Sequence, residues 1–194
     1  MKLKQLCLAI GTALALSGAA NAALLTGSTG SSANLVTDYS APGMLSFDLD
    51  LHNFAATRFE FTIEDSDLIG PMSMNALVRN LSGRSLTNFS FYLEGIAFSS
   101  AGSVTPTFGT TSQINYTSTA AAITFATPEF AEFSFGNPFS LNNKSDWYFD
   151  TTGLRAGDAF SISATVPEPS TAMLMLSALA MFGGLYRRQR RMQP

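Results

Sequence analysis

Through the middle of this chain the apolar residues recur at every second position. Leu45, Phe47, Leu49 and Leu51 alternate with Ser46, Asp48, Asp50 and His52, and Phe59, Phe61 and Ile63 alternate with Glu60 and Thr62. The same period returns at Met74, Ala76 and Val78, at Phe89, Phe91 and Leu93, at Ile123 and Phe125, at Phe133 and Phe135, and at Phe160, Ile162, Ala164 and Val166. A period of two is that of a strand with one buried and one wetted face. Turn-forming residues separate the runs, at Gly70-Pro71, Ser82-Gly83, residues 99–102, Gly136-Asn137-Pro138, Asn142-Asn143 and Gly157-Asp158. Short strands with one apolar face each must bury it against a second sheet, so residues 23–165 are expected to form an all-β domain, an antiparallel β-sandwich.

The two ends of the chain break this period. Lys2 and Lys4 precede an apolar run at residues 6–16, and small residues follow, ending in Ala20-Asn21-Ala22. A positive start, a short apolar helix and a small-residue site form a secretory signal, with cleavage expected between Ala22 and Ala23. Residues 1–22 are thus a signal peptide, and its apolar core is shorter than the roughly 20 residues that span a bilayer. Cys7, the chain's one cysteine, goes with it. The mature domain then has neither disulfides nor thiolate metal ligands, and a hydrophobic core must hold it together. Fifteen of the 16 phenylalanines stand before the C-terminal tail and supply that core.

Residues 166–194 form the tail: Val166, Pro167, Glu168 and Pro169, an apolar stretch at 171–186, then Arg187, Arg188, Arg190 and Arg191. The prolines lack N–H groups and hold the residues before them extended, which leaves a peptide that a protease can read. A helix over 171–186 would be about 24 Å long against about 30 Å of hydrocarbon, and the arginines extend its reach by snorkelling. Its apolar residues surround the axis, which suits lipid. The same arginines stay on the cytoplasmic side, so the domain ahead of them faces the periplasm or beyond.

This order of Pro167-Glu168-Pro169, a short apolar helix and a terminal arginine cluster resembles the PEP-CTERM sorting signal. The resemblance implies processing by an exosortase, a membrane-embedded transpeptidase-like protease, in a Gram-negative bacterium that usually also makes an exopolysaccharide matrix. It implies an inner-membrane intermediate with a periplasmic domain, and then release to the cell surface or outside.

Without the two end segments, five basic residues face thirteen acidic ones, a formal charge of −8. Binding to nucleic acid or to an anionic membrane needs clustered Lys and Arg, so a domain this acidic is expected to repel both, and the basic tail serves as a topology signal only. His52 is the one histidine and stands on the polar side of its strand pattern, and no Gly-X-Ser-X-Gly elbow accompanies it. No catalytic residue, metal ligand or cofactor is therefore assigned, and the chain is not expected to be an enzyme. The Ser/Thr-rich residues 99–127 read as polar strand faces, because Ile114, Tyr116, Ile123 and Phe125 keep the apolar phase.

Two constellations remain open. A hairpin around residues 53–57 would set Asp50 opposite Glu60 and Asp48 opposite Thr62, with Arg58 as diagonal neighbour or a calcium ion near Asp48, Asp50 and Glu60 as the neutralising charge. Trp147, Tyr148 or Tyr92 would offer a platform for a sugar ring if exposed. The expected function is that of an exported structural or interaction protein of the surface or matrix, with a carbohydrate-binding or adhesive module as the alternative.

Overall fold

A computed structural model describes residues 22–167. Thirteen strands follow one another: β1 Leu24–Gly30, β2 Leu35–Asp38, β3 Met44–Leu51, β4 Thr57–Thr62, β5 Met72–Asn80, β6 Leu86–Glu94, β7 Ala97–Ser100, β8 Val104–Pro106, β9 Thr110–Tyr116, β10 Ala120–Glu129, β11 Glu132–Phe135, β12 Trp147–Asp150 and β13 Ala159–Thr165. A single 3-10 turn, Asp65–Leu68, stands between β4 and β5.

The strands form two sheets. The first has the order β1-β4-β13-β6-β10-β9 and is antiparallel throughout. The second has the order β2-β3-β5-β11-β8, with β12 also on β5 and β7 on β12. Phenylalanines join them: Phe47 of the second sheet meets Phe59 of the first at 4.9 Å, Phe89 meets Phe133 at 5.1 Å, and Phe91 meets Phe135 at 5.0 Å, all edge to face. That is the expected sandwich, with a core built largely of ring contacts whose geometry adds about 0.5–1.5 kcal/mol per pair beyond area burial.

Two expectations are corrected. The second sheet is mixed, because β3 and β5 run parallel from Met44↔Ser73 to Leu51↔Asn80. The strand between them, β4, belongs to the other sheet and serves as the crossover that a parallel pair requires. For the same reason the hairpin around residues 53–57 does not form: β3 pairs with β2 and β5, and β4 pairs with β1 and β13. Both β3 and β4 carry the period of two, which marks a buried face and leaves the partner open.

Residues 27–30 lie in β1, with Gly30 at φ 110° against the Ala56 carbonyl, where a Cβ would meet that oxygen at 2.3 Å. Residues 99–127 contain β8, β9, most of β10 and the end of β7, as the alternation implied. Strand β9 is an edge strand and mostly exposed.

Candidate functional site

The sorting segment leaves the domain from the interior of a sheet. β13 lies between β4 and β6, its last residues in register at Ala164↔Thr57, Ala164↔Phe91 and Thr165↔Ser90. Val166 is still buried, and Pro167 is exposed. A strand bonded on both sides cannot continue through a residue without an N–H, so the domain ends where the sorting segment begins. Glu168 and Pro169, the apolar stretch 171–186 and Arg187, Arg188, Arg190 and Arg191 lie outside the described residues. Among the described residues no helix is long and apolar enough to cross a membrane.

Five turns surround this exit, and each crosses from one sheet to the other: residues 31–34, 52–56, 81–85, 107–109 and 130–131. The registers Gly30↔Thr57, Leu51↔Asn80, Phe133↔Pro106 and Thr127↔Thr110 place all five at the end where Thr165 stands. Three polar side chains tie them together. Buried Asn34 accepts the backbone N–H of His52 at 2.9 Å and of Asn53 at 3.1 Å through Oδ1, and donates through Nδ2 to the Thr57 hydroxyl at 2.8 Å. Asn80 donates to the Arg84 carbonyl at 2.6 Å and accepts from the Ser82 hydroxyl at 2.7 Å.

The third is Glu129, fully buried. One carboxylate oxygen accepts the N–H of Phe108 and of Gly109, both at 2.8 Å; the other accepts those of Phe130 at 2.9 Å and Ala131 at 2.8 Å. Burial pushes this carboxyl up, and the four amides outweigh it, holding the group below its ordinary value. Nothing in its sequence neighbourhood marks this role, because two of its four donors stand some 20 positions earlier.

The other end receives the start of the domain. β1 begins with Leu24 opposite Thr62, the far end of β4, so the expected cleavage site and the sorting segment lie at opposite ends of the sandwich. Ala23 is 1% exposed and packs in the core, and Ala22 is half-buried. Ala20 lies outside the described residues.

The carboxylates named for calcium do not come together. Asp48 and Asp50 flank Arg79 of the parallel neighbour β5, with Arg79–Asp48 at 3.1 Å and Arg79–Asp50 at 2.6 Å. Burial pushes the Asp48 carboxyl above its ordinary value, Arg79 opposes the rise and Asp50 adds to it. Glu60 stands on the other sheet with Arg58, which also pairs with Glu94. The neutralising charge is thus Arg79 and not Arg58, and the cause is again the sheet to which β4 belongs. Among the described residues no three His, Cys, Asp or Glu side chains are grouped to hold a metal.

The aromatic platform is likewise dispersed. Trp147 is fully buried, stacked on Phe135 at 4.4 Å, with its indole N–H donating to the Ser103 carbonyl at 3.2 Å. Tyr148 is exposed on the outer face of the second sheet and Tyr92 on the outer face of the first. His52 is exposed just past the end of β3.

Comparison with known sequence families finds the PEP-CTERM protein-sorting motif at residues 165–191. It begins at Thr165, the last residue of β13, and covers the tail alone. No curated protein and no solved structure matches the chain.

Proposed function

We propose that this chain, whose residues 165–191 match the PEP-CTERM protein-sorting motif, is a structural or interaction protein of the cell surface or extracellular matrix, sorted by an exosortase and delivered as a complete domain when its tail is cut. The observation that carries the reading is the junction at Val166 and Pro167. All thirteen described strands precede it, β13 is bonded on both sides up to Ala164 and to β6 at Thr165, and the first exposed residue after it is the first proline of the motif. A cut beyond Pro167 leaves every sheet hydrogen bond and core side chain of the described residues in place. The released product needs no refolding.

Burial supports an order of events. Residues 1–22 direct export and are removed while the chain is still unfolded, since Ala23 packs in the finished core. The stretch 171–186 then holds the folded domain at the inner membrane, with the arginines of 187–191 in the cytoplasm. Exosortase reads residues 166–169. The domain acts by contact and not by catalysis, and its aromatic bulk is spent on its own core.

Intact-mass measurement of the protein from membrane, periplasmic and extracellular fractions of its host tests this. An extracellular form running from Ala23 to about residue 169 is expected. A chain that ends at Pro194 in every fraction would sink the proposal.

A further inference from the structure

We propose that the end of the sandwich from which the tail emerges is a lipid-contacting face, seated in the headgroup region of the outer leaflet of the inner membrane while the tail is intact. The inference rests on the reading of 171–186 as a membrane helix and adds to it a site on the folded domain.

Three observations meet at this end. The first is apolar exposure on the turns around the exit: Phe108 is 72% exposed, Phe130 60% and Leu81 50%. Aromatic and leucine side chains on a polar rim are what a protein presents to the boundary between headgroups and acyl chains.

The second is charge. The domain carries thirteen acidic residues, yet the five turns of this end contain none. The nearest is Glu129, buried and bonded to four amides. The next, Asp50 and Glu132, flank Arg79 in the register row behind. The charged side chain that the turns do present is Arg84, lying over the Phe54 ring at 5.3 Å and exposed to an anionic surface. Apolar side chains at the far end, Leu24 and Ile69, stand instead among Glu64, Asp65 and Asp158, which would be repelled by anionic lipid and costly to desolvate.

The third is chain length. Four steps separate Pro167 from Thr171, at most about 14 Å of extended chain. The headgroup layer is about 5–7 Å thick on each side of the hydrocarbon. A helix that starts at 171 therefore holds the exit end against the bilayer surface. Glu129 suits the task, since its two oxygens brace the Phe108 turn and the Phe130 turn as one unit.

The mature chain 23–194 has no cysteine, so single cysteines with an environment-sensitive fluorophore report position cleanly. The chain is placed in anionic phospholipid vesicles, with probes at Phe108→Cys, Phe130→Cys, Ile69→Cys and Ala180→Cys, and quenched by spin labels carried on the lipid chains near the headgroup or deep in the hydrocarbon. The expected result is deep quenching at 180, shallow quenching that removes about half the emission at 108 and 130, and none at 69. Quenching at 180 with none at 108 or 130 would overturn the lipid face, leave the membrane helix standing and assign the exposed phenylalanines to a protein contact. No quenching at 180 would remove the membrane helix and this inference with it.

Discussion

The two ends of the sandwich are built from the same kinds of residue and differ in how they use them. At the exit end five turns cross between the sheets, and the nearest carboxylate, Glu129 at the end of β10, is buried on four backbone amides. At the other end Asp65, Glu94, Asp150 and Asp158 are exposed, and only Asp67 is turned inward, accepting the N–H of Gly43 and of Glu64 at 3.0 Å. The formal charge of −8 is therefore not spread over the surface. It is polarised along the strand axis, in line with the direction of the chain, which enters at the acidic end and leaves at the neutral one. Such a polarity orients the domain relative to an anionic surface before any specific contact forms.

The largest test of this contrast is Glu129→Gln. The amide keeps one acceptor oxygen and turns an NH2 toward two buried donors, so two N–H groups lose their partner at about 1–3 kcal/mol each. A loss of about 2–6 kcal/mol is expected in denaturant unfolding; a change below about 1 kcal/mol would mean that the turns do not depend on this brace. The pH dependence carries the same sign. The folded pKa of Glu129 lies below its unfolded value, so its contribution is fully present above the unfolded value and is lost as pH falls through the folded one. Melting in that acid window should be steeper in pH for the native chain than for Glu129→Gln.

Asn34→Ala comes next. It strips the acceptor from the His52 and Asn53 amides and the donor from Thr57 at the crossing from β3 to β4, with an expected cost of about 1–3 kcal/mol in the same experiment. Hydrogen exchange at His52 and Asn53 should rise with it; unchanged exchange would show that solvent already satisfies these amides.

Smaller in stability and larger in consequence is the pair Phe108→Ser with Phe130→Ser. Both side chains are exposed, so thermal melting should move by no more than about 0.5 kcal/mol per site. Deuterium uptake of the 107–109 and 130–131 turns in vesicle-bound chain should rise, if these rings sit in the headgroups. At the acidic end, Asp65→Asn should change stability by less than about 0.5 kcal/mol, as for an exposed surface residue. A drop comparable with that of Glu129→Gln would erase the contrast between the two ends.

Much of the strand content was legible from local pattern. β3, β4, β5, β6, β10, β11 and β13 carry the alternation at Leu45 to Leu51, Phe59 to Ile63, Met74 to Val78 and onward, because a half-buried strand writes its pleat directly into residue order. β1 was hidden by Gly27 and Gly30, which offer no side chain to alternate, and β2 by its exposure, with Leu35 outward at the sheet's edge. The sorting segment was legible as well, because its signals are contiguous: two prolines, an apolar stretch and an arginine cluster. The brace at Glu129 was not, since an acidic residue after Pro128 looks like a turn, and its four donors meet only after β8, β9, β10 and β11 have taken their places.

By itself, then, the sequence determined that the domain is made of strands, that phenylalanine fills the core, and that the C-terminus bears a sorting signal. These follow from chemistry within a few consecutive residues. The tertiary structure decided which sheet each strand joins, that β4 crosses to the other sheet and makes β3 and β5 parallel, that Arg79 answers Asp48 and Asp50, and that Trp147 is core. It also decided that the tail leaves from the one end without exposed acid. Each of these depends on pairing between strands distant in the chain, where a period of two specifies a face and no partner.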